Sequence, residues 1–342
     1  MVSQLRVLGS RASRVVASLA LVASVVAATG GLAAAQSTAQ TWEVQAGLLD
    51  EHTGAEVMAY GPNPLIIRAG DTVKWSMTGP FGVMFNAGKA DLPPIVPGPG
   101  PGELMLGPGV MPVGATGTVT DFDGTKQVGS GLALQGPMTF SMRFTKPGLY
   151  GYVNPLLPVM RGEIVVLDAG AALPETPAAA KARGQATLAA LVGKAIATAQ
   201  HATQVHQALS TGNPTVFVGV HDVYGASIDA FIGGNKTVRR GEEVVFAFGD
   251  PVIPHTVTFM SGATHPGFVE PRPQPAGPPQ LVIAATNAGP VGGNTYTGTG
   301  MLNSGILEAP GAFTVRFDAA PGGYDYLCII HPFMKGTITV TG

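Results

Sequence analysis

The segment YDYLCIIHPFMKG, residues 324–336, holds three side chains that can bind a soft metal ion. Cys328 is the only cysteine of the chain, His331 follows three positions later, and Met334 three after that. Copper accepts thiolate, imidazole and thioether ligands, and one known copper centre combines two imidazoles and a thiolate with a weak axial Met. The second imidazole must come from elsewhere. His255, in PVIPHTVTF, lies 73 residues before Cys328 and is the natural candidate.

A lone cysteine has other possible roles. It can be a buried core thiol, an intermolecular link, or a nucleophile with a nearby histidine as its base. The core role suits a cysteine considered without its neighbours. The nucleophile role leaves Met334 without a purpose, and the metal role uses Cys328, His331 and Met334 together.

The chain contains an internal repeat. Residues 147–166, PGLYGYVNPLLPVMRGEIVV, align without a gap with residues 321–340, PGGYDYLCIIHPFMKGTITV. Further upstream, LIIRAGDTVKW and PFGVMF resemble KTVRRGEEVVF and PHTVTF. The sequence therefore predicts two copies of one domain, at residues 36–168 and 213–342, which we call the first and the second repeat.

The first copy lacks most of the candidate metal ligands. Three of the four positions differ, two of them by apolar substitution, so the first copy is predicted to bind no copper. The retained methionine shows that a Met at this position can serve packing alone, which makes Met334 the least certain ligand by itself. In place of His255, Cys328, His331 and Met334, the first copy has Phe81, Asn154, Leu157 and Met160.

Short runs rich in β-branched and aromatic residues, such as TVFVGV, EEVVFAF and GTITVTG, predict an all-β fold of antiparallel sandwiches. Residues 169–212 separate the copies. Within them, Thr176, Pro177 and an apolar repeat at helical spacing predict a linker helix over 177–210 that packs on one or both sandwiches. The Pro-rich stretches at 92–109 and 270–280 are predicted to be long loops.

The ligand loop YDYLCIIHPFMKG and the strand IPHTVTF resemble those of the cupredoxins, the plastocyanin, pseudoazurin and amicyanin group of blue copper proteins. The spacing of the loop is most similar to that of amicyanin. This resemblance implies a Greek-key sandwich in each copy and one type-1 copper in the second, held by His255, Cys328, His331 and Met334. It also implies that the chain carries single electrons between Cu(II) and Cu(I).

The same resemblance implies that the edge of His331 reaches the surface through an apolar patch, where an unknown redox protein docks. It suggests that Thr256 ties the two ligand strands together. Multicopper oxidases and copper nitrite reductases need further histidines, and the chain has no H-x-H pair. We therefore expect no enzymatic activity and infer no small-molecule substrate. The remaining histidines are His52, His201, His206, His221 and His265, of which His201, His206 and His265 are predicted to lie at the surface.

The N-terminus resembles a secretory signal peptide. Arg6, Arg11 and Arg14 precede an apolar run that ends in small residues, which predicts a signal over 1–35, or alternatively an uncleaved membrane anchor. We expect an exported protein of the periplasm, cell envelope or medium. A net charge of −2 shows no electrostatic footprint for nucleic acid. A copper-binding or structural envelope module that carries no electrons is the alternative function.

Overall fold

The computed structural model describes residues 38–342, except residues 116, 209–213, 224 and 262–263 and the side chains of His206 and Ala208. The predicted signal segment, residues 1–35, lies outside the described residues. Strands make up most of the regular structure, in agreement with the predicted all-β class. Within the described part of the chain, no helix combines the length and apolar character needed to cross a membrane.

In the described part of the chain, eleven strands and one short 3-10 helix, Pro108–Val110, precede the long helix. The strands are β1 (Thr41–Asp50), β2 (Ala55–Gly61), β3 (Leu65–Arg68), β4 (Thr72–Phe85), β5 (Ile95–Pro97), β6 (Leu104–Leu106), β7 (Pro112–Val113), β8 (Thr120–Phe122), β9 (Val128–Phe144), β10 (Gly148–Val153) and β11 (Arg161–Leu167).

The long helix α1 (Pro177–Ala208) comes next, followed by twelve strands and the short helix α2 (Ala285–Ala288). These strands are β12 (Thr215–His221), β13 (Ala226–Ile232), β14 (Lys236–Arg239), β15 (Glu243–Gly249), β16 (Thr258–Met260), β17 (Glu270–Arg272), β18 (Gln280–Ile283), β19 (Thr295–Tyr296), β20 (Met301–Asn303), β21 (Ala312–Phe317), β22 (Gly322–Leu327) and β23 (Lys335–Thr341).

Ten of the strands after α1 form two sheets with a core between them. One sheet continues from β19 through β21, β15 and β12 to β13, and the other has the order β14-β23-β22-β16-β20. Phe246 from the first and Phe259 and Tyr326 from the second meet in one buried cluster that also contains Cys328 and Met334. The candidate ligand loop is therefore anchored in the core of these two sheets.

The strand pairing corrects the expectation of purely antiparallel sheets. β1 pairs antiparallel with β2 but parallel with β4. Likewise β12 pairs antiparallel with β13 but parallel with β15. In both cases the parallel partner comes after two intervening strands in the chain rather than through a hairpin, and such a crossover brings two strands side by side in the same direction.

The regions before and after α1 share a sheet. β2 and β13 pair antiparallel, with Glu56 opposite Ser227 and Ala55 opposite Ile228, which joins strands of both repeats into one 14-stranded sheet. Helix α1 covers this seam through Leu188 and Ala195, which pack against apolar residues of β2 and β13. The helix begins at Pro177, and Thr176 Oγ1 accepts a hydrogen bond of 3.3 Å from the Ala179 N–H.

The two Pro-rich stretches differ from the predicted loops because each contains short strands. β5 and β6 from the first stretch and β17 and β18 from the second form a four-stranded sheet in the order β17-β18-β6-β5. Arg272 donates two hydrogen bonds, of 2.8 and 2.7 Å, to the Glu103 carboxylate across this sheet. Backbone groups of each stretch form hydrogen bonds with the other stretch through the pairing of β6 with β18. The sequence, in which the two stretches are far apart, does not reveal this pairing.

Candidate metal centre

Strand pairing brings the two candidate ligand segments together. Cys328 directly follows β22, and His255 lies three residues before β16. β16 and β22 are antiparallel neighbours, with Thr258 opposite Leu327. On the other side, His255 exchanges backbone hydrogen bonds of 2.9 and 3.0 Å with Leu307, which fixes the position of its backbone.

The loop between β22 and β23 is closed by its own backbone. The Cys328 N–H donates to the Met334 carbonyl at 3.1 Å, and the Met334 N–H donates to the His331 carbonyl at 2.8 Å. Gly336 follows because a Cβ there would lie 2.5 Å from the ring of Tyr326. This curl places Cys328 and His331 on the same side of the loop, and Met334 is buried in the same core cluster as Cys328.

Three donor atoms converge in the interior. Cys328 Sγ lies 4.0 Å from His255 Nδ1 and 3.7 Å from His331 Nδ1, and the two Nδ1 atoms are 3.2 Å apart. Two nitrogens at about 2.0 Å and a sulfur at about 2.3 Å from one ion, at trigonal angles, are about 3.5 and 3.7 Å from each other. The spacing therefore fits one ion between the three donors, although their binding of copper remains a prediction.

Thr256 connects the two ligand segments, as the sequence suggests. Its N–H donates to Cys328 Sγ at 3.3 Å, and its Oγ1 accepts a hydrogen bond of 2.8 Å from the Ile329 N–H. An N–H directed at sulfur stabilises a thiolate, which is the form of cysteine that binds a metal. Thr256 thus both holds the loop against the His255 segment and polarises the sulfur.

Burial sets the protonation of the three donors. Cys328 and His255 are 0% exposed and His331 is 8% exposed. Desolvation lowers the pKa of His331 to about 4 and that of His255 well below its usual value, so both imidazoles are neutral at pH 7. Burial raises the pKa of the Cys328 thiol to about 11, although hydrogen bonds from Thr256 oppose this shift. A bound cation would favour the thiolate.

Two buried carboxylates lie behind the imidazoles. Asp229 Oδ1 is 3.9 Å from His255 Nε2, Asp229 Oδ2 is 3.9 Å from His331 Nε2, and Glu56 Oε2 is 4.0 Å from His331 Nε2. Desolvation raises the pKa of Glu56 to about 7 and that of Asp229 well above its usual value. Sequence reasoning missed both residues. The available signal was an acidic residue inside an apolar strand, in AEVMAYG and ASIDAFI.

A glycine makes room for His255. Gly219 has a φ of +65°, and a Cβ there would lie 2.2 Å from His255 Nε2. It sits at a bulge in β12, between Val218 and Val220. Only glycine combines this backbone conformation with such a close approach of an imidazole.

The corresponding place in the first repeat is apolar. Phe81 packs beside Gly47, where an added Cβ would lie 2.5 Å from the Phe81 ring. Phe81, Met58 and Leu157 belong to one hydrophobic cluster. Asn154 Nδ2 contacts Met160 Sδ at 3.6 Å where the second repeat has the thiol. Among the described residues of this repeat, no group of three His, Cys, Asp or Glu side chains converges.

The other histidines lie outside the Cys328 group. His52 and His201 are exposed and His265 is half-buried. His221 Nδ1 lies 3.0 Å from Ser227 Oγ and 3.8 Å from the buried Asp250 carboxylate. The side chain of His206 is not among those described.

The apolar surroundings of His331 are partly covered. Ile253 packs into the hydrophobic cluster of the first repeat, whereas Pro332 is exposed and Phe333 half-buried. The Phe333 ring centroid lies 5.9 Å from that of His331. At 8% exposed, His331 itself presents little surface.

Comparisons with known proteins give distant structural likenesses. A reduced-state amicyanin variant is similar at 18% identity and a TM-score of 0.24, over 40% of this chain and 89% of that chain. Amicyanin from Paracoccus versutus is similar at 19% identity and a TM-score of 0.23, over 40% of this chain and 88% of that chain. No protein-family model and no curated protein matches the chain.

Proposed function

We propose that this chain is an exported copper protein that carries single electrons and is not an enzyme. The convergence of Cys328 Sγ with the Nδ1 atoms of His255 and His331, all within 4.0 Å of one another, carries this proposal. When bound, copper would supply a one-electron couple between Cu(II) and Cu(I). Met334 would be a fourth, weaker ligand.

The surrounding residues suit a rigid, dry site. Thr256 holds the Cys328 segment against the His255 segment through two hydrogen bonds, and the loop closes on itself through Cys328 and Met334. A site that changes little between two oxidation states needs ligands held by such packing. The complete burial of Cys328 also disfavours its use as a nucleophile, because no substrate reaches it.

We propose that a redox protein is the partner. Between β22 and β23, Pro332 is exposed and Ile330 and Phe333 are half-buried, so these residues offer a partner an accessible apolar surface. The Phe333 ring is next to His331, which offers a short path to the proposed metal.

The test is to add Cu(II) to the purified mature protein and record absorption and EPR spectra. We expect an intense blue thiolate-to-copper band and narrow hyperfine splitting in the wild type, with one copper per chain. Cys328→Ala should lose both. Asn154→Ala, at the matching position of the first repeat, should keep both. A pale spectrum that Cys328→Ala leaves unchanged would refute the site.

A second candidate is a copper-holding module that exchanges no electrons. The low exposure of His331 and the cover of Ile253 by the first repeat favour it. Reduction kinetics of the copper-loaded protein distinguish the electron carrier from the copper-holding module. Rapid reversible reduction by a small redox dye supports the carrier, whereas a blue site that neither a dye nor an electrode reduces supports the holding module.

A further inference from the structure

The first repeat places a carboxylate against the candidate metal centre of the second. Glu56 lies on β2 and Asp229 on β13, and the pairing of these strands sets Glu56 opposite Ser227. A hydrogen bond of 2.7 Å from the Asp229 N–H to the Gly54 carbonyl continues this contact. The two side chains, from different repeats, thus reach the same buried place behind His331.

These carboxylates have few partners of their own. Glu56 is 2% exposed and Asp229 1% exposed, and neither Asp229 oxygen has a hydrogen-bond partner. Over the described part of the chain, no lysine or arginine forms an ion pair with either one. Burying such groups is costly unless they interact with something. The two carboxyl groups face each other, the two imidazoles and the Asp250 carboxylate.

The internal repeat links Asp229 to the histidines. In the alignment of AEVMAYG with ASIDAFI, Met58 occupies the position of Asp229. In the first repeat, Phe81 takes the position of His255 and Met58 that of Asp229. Phe81 and Met58 are both buried in one apolar cluster. The acid is therefore present only beside the imidazoles.

We propose that Glu56 and Asp229 are positioning residues that hold the protons of both imidazoles on Nε2, so that the first repeat completes the metal centre of the second. A neutral imidazole carries one proton, and a carboxyl oxygen that faces Nε2 and accepts its hydrogen favours the tautomer with the proton there. The Nδ1 lone pair is then free for a metal. Carboxylates behind metal-bound histidines commonly have this role.

This inference rests on the proposed metal site but not on electron transfer. It explains why a repeat that lacks the ligands shares a sheet with one that has them. It also gives β2 a second effect, since the β2 strand covers the outer edge of His331 and keeps it from solvent.

The experiment uses the full mature chain loaded with Zn(II), which binds cysteine and histidine and gives sharp NMR spectra. The imidazole Nε2–H signals are followed in Glu56→Gln, Glu56→Met and Asp229→Asn. We expect downfield, slowly exchanging signals in the wild type. Glu56→Met should shift the His331 signal upfield. Glu56→Gln should shift the His331 signal less, and Asp229→Asn should shift both signals by a similarly reduced amount, because each amide oxygen still accepts.

Zn(II) affinity gives a second readout. We expect it to fall about 10- to 100-fold in Glu56→Met and Asp229→Asn, as for other residues that orient metal-bound histidines. Glu43→Gln is the matched control, because it removes a carboxylate of the neighbouring strand β1 that pairs with Lys181. It should leave both the signals and the affinity unchanged.

The isosteric Glu56→Gln and Asp229→Asn keep the test decisive if Glu56→Met does not fold. Wild-type imidazole signals and affinity in these two folded variants would overturn the inference. A chain that binds Zn(II) with the expected shifts but shows no blue copper band would support the positioning role and reject the proposed function.

Discussion

The ligand loop after β22 and its counterpart after β10 have the same backbone contacts and different side chains. In the second repeat, the Cys328 N–H donates to the Met334 carbonyl and the Met334 N–H to the His331 carbonyl. In the first, the Asn154 N–H donates to the Met160 carbonyl at 3.0 Å and the Met160 N–H to the Leu157 carbonyl at 2.9 Å. The loop therefore takes its shape from its backbone and its methionine, without help from a metal.

The second difference between the repeats concerns what fills the space beside the loop. The first repeat uses an apolar set, Phe81, Met58 and Leu157, within one hydrophobic cluster. The second uses His255, Asp229 and His331, all buried. Buried polar groups stabilise a fold less than apolar ones of similar size. The second repeat thus retains a costly set of residues, which is the physical sign of a functional site.

Replacing the buried polar residues of the second repeat with the apolar residues of the first has the largest expected effect. His255→Phe should abolish the blue copper band and leave Asp229 facing an apolar ring, which costs about 1–3 kcal/mol in unfolding free energy. Adding Asp229→Met should recover most of that stability without restoring copper. Spectroscopy and denaturant unfolding measure the two effects. The pairing of Asp229 with His255 is disproved if the double variant is less stable than the single one.

The two bulge glycines offer a matched pair. Gly219→Ala would place a Cβ 2.2 Å from His255 Nε2, and Gly47→Ala would place one 2.5 Å from the Phe81 ring, both at positive φ. Each should lose about 1–3 kcal/mol of unfolding free energy through overpacking. Only Gly219→Ala should weaken copper binding, as measured by titration. Equal losses of copper affinity in both variants would mean that the effect spreads through the shared sheet rather than acting on His255.

The candidate site could be predicted from sequence only where its members lie close together or in paired strands. Cys328, His331 and Met334 share one loop, and His255 begins a recognisable strand. Glu56 could not be found in this way, because its position depends on the pairing of β2 with β13, which no local spacing specifies. Long-range pairing depends on how two surfaces fit, and a short apolar strand is compatible with many neighbours.

The same limit explains the corrections to the fold. Alternating strands predicted the all-β class, but the parallel pairing of β12 with β15 depends on the route of the chain between them. The Pro-rich stretches carry strong turn signals that hide the short strands β6 and β18, which exist because they pair with each other. By contrast, helix α1 has a local start signal at Thr176 and Pro177, and it begins there.

The two loop methionines should separate packing from metal binding. Leucine keeps nearly the same volume, so Met334→Leu and Met160→Leu should each cost less than about 1.5 kcal/mol of unfolding free energy. Met334→Leu should keep the blue band but raise the reduction potential, because Cu(II) loses a weak donor. Met160→Leu should leave the potential unchanged. An unchanged potential in both variants, measured by voltammetry, would show that Met334 is a packing residue like Met160.

The smallest expected effect comes from removing a tyrosine hydrogen bond that both repeats have. The Tyr150 hydroxyl donates to the Lys146 carbonyl at 2.9 Å, and the Tyr324 hydroxyl donates to the Ala320 carbonyl at 2.7 Å, four residues upstream in each case. Tyr150→Phe and Tyr324→Phe each remove one hydrogen bond, so each should cost about 0.5–1.5 kcal/mol in urea unfolding. Neither should change the copper spectrum. If Tyr324→Phe altered the spectrum, the corner before the ligand loop would belong to the metal centre, and the separation between a shared scaffold and an added site would not hold.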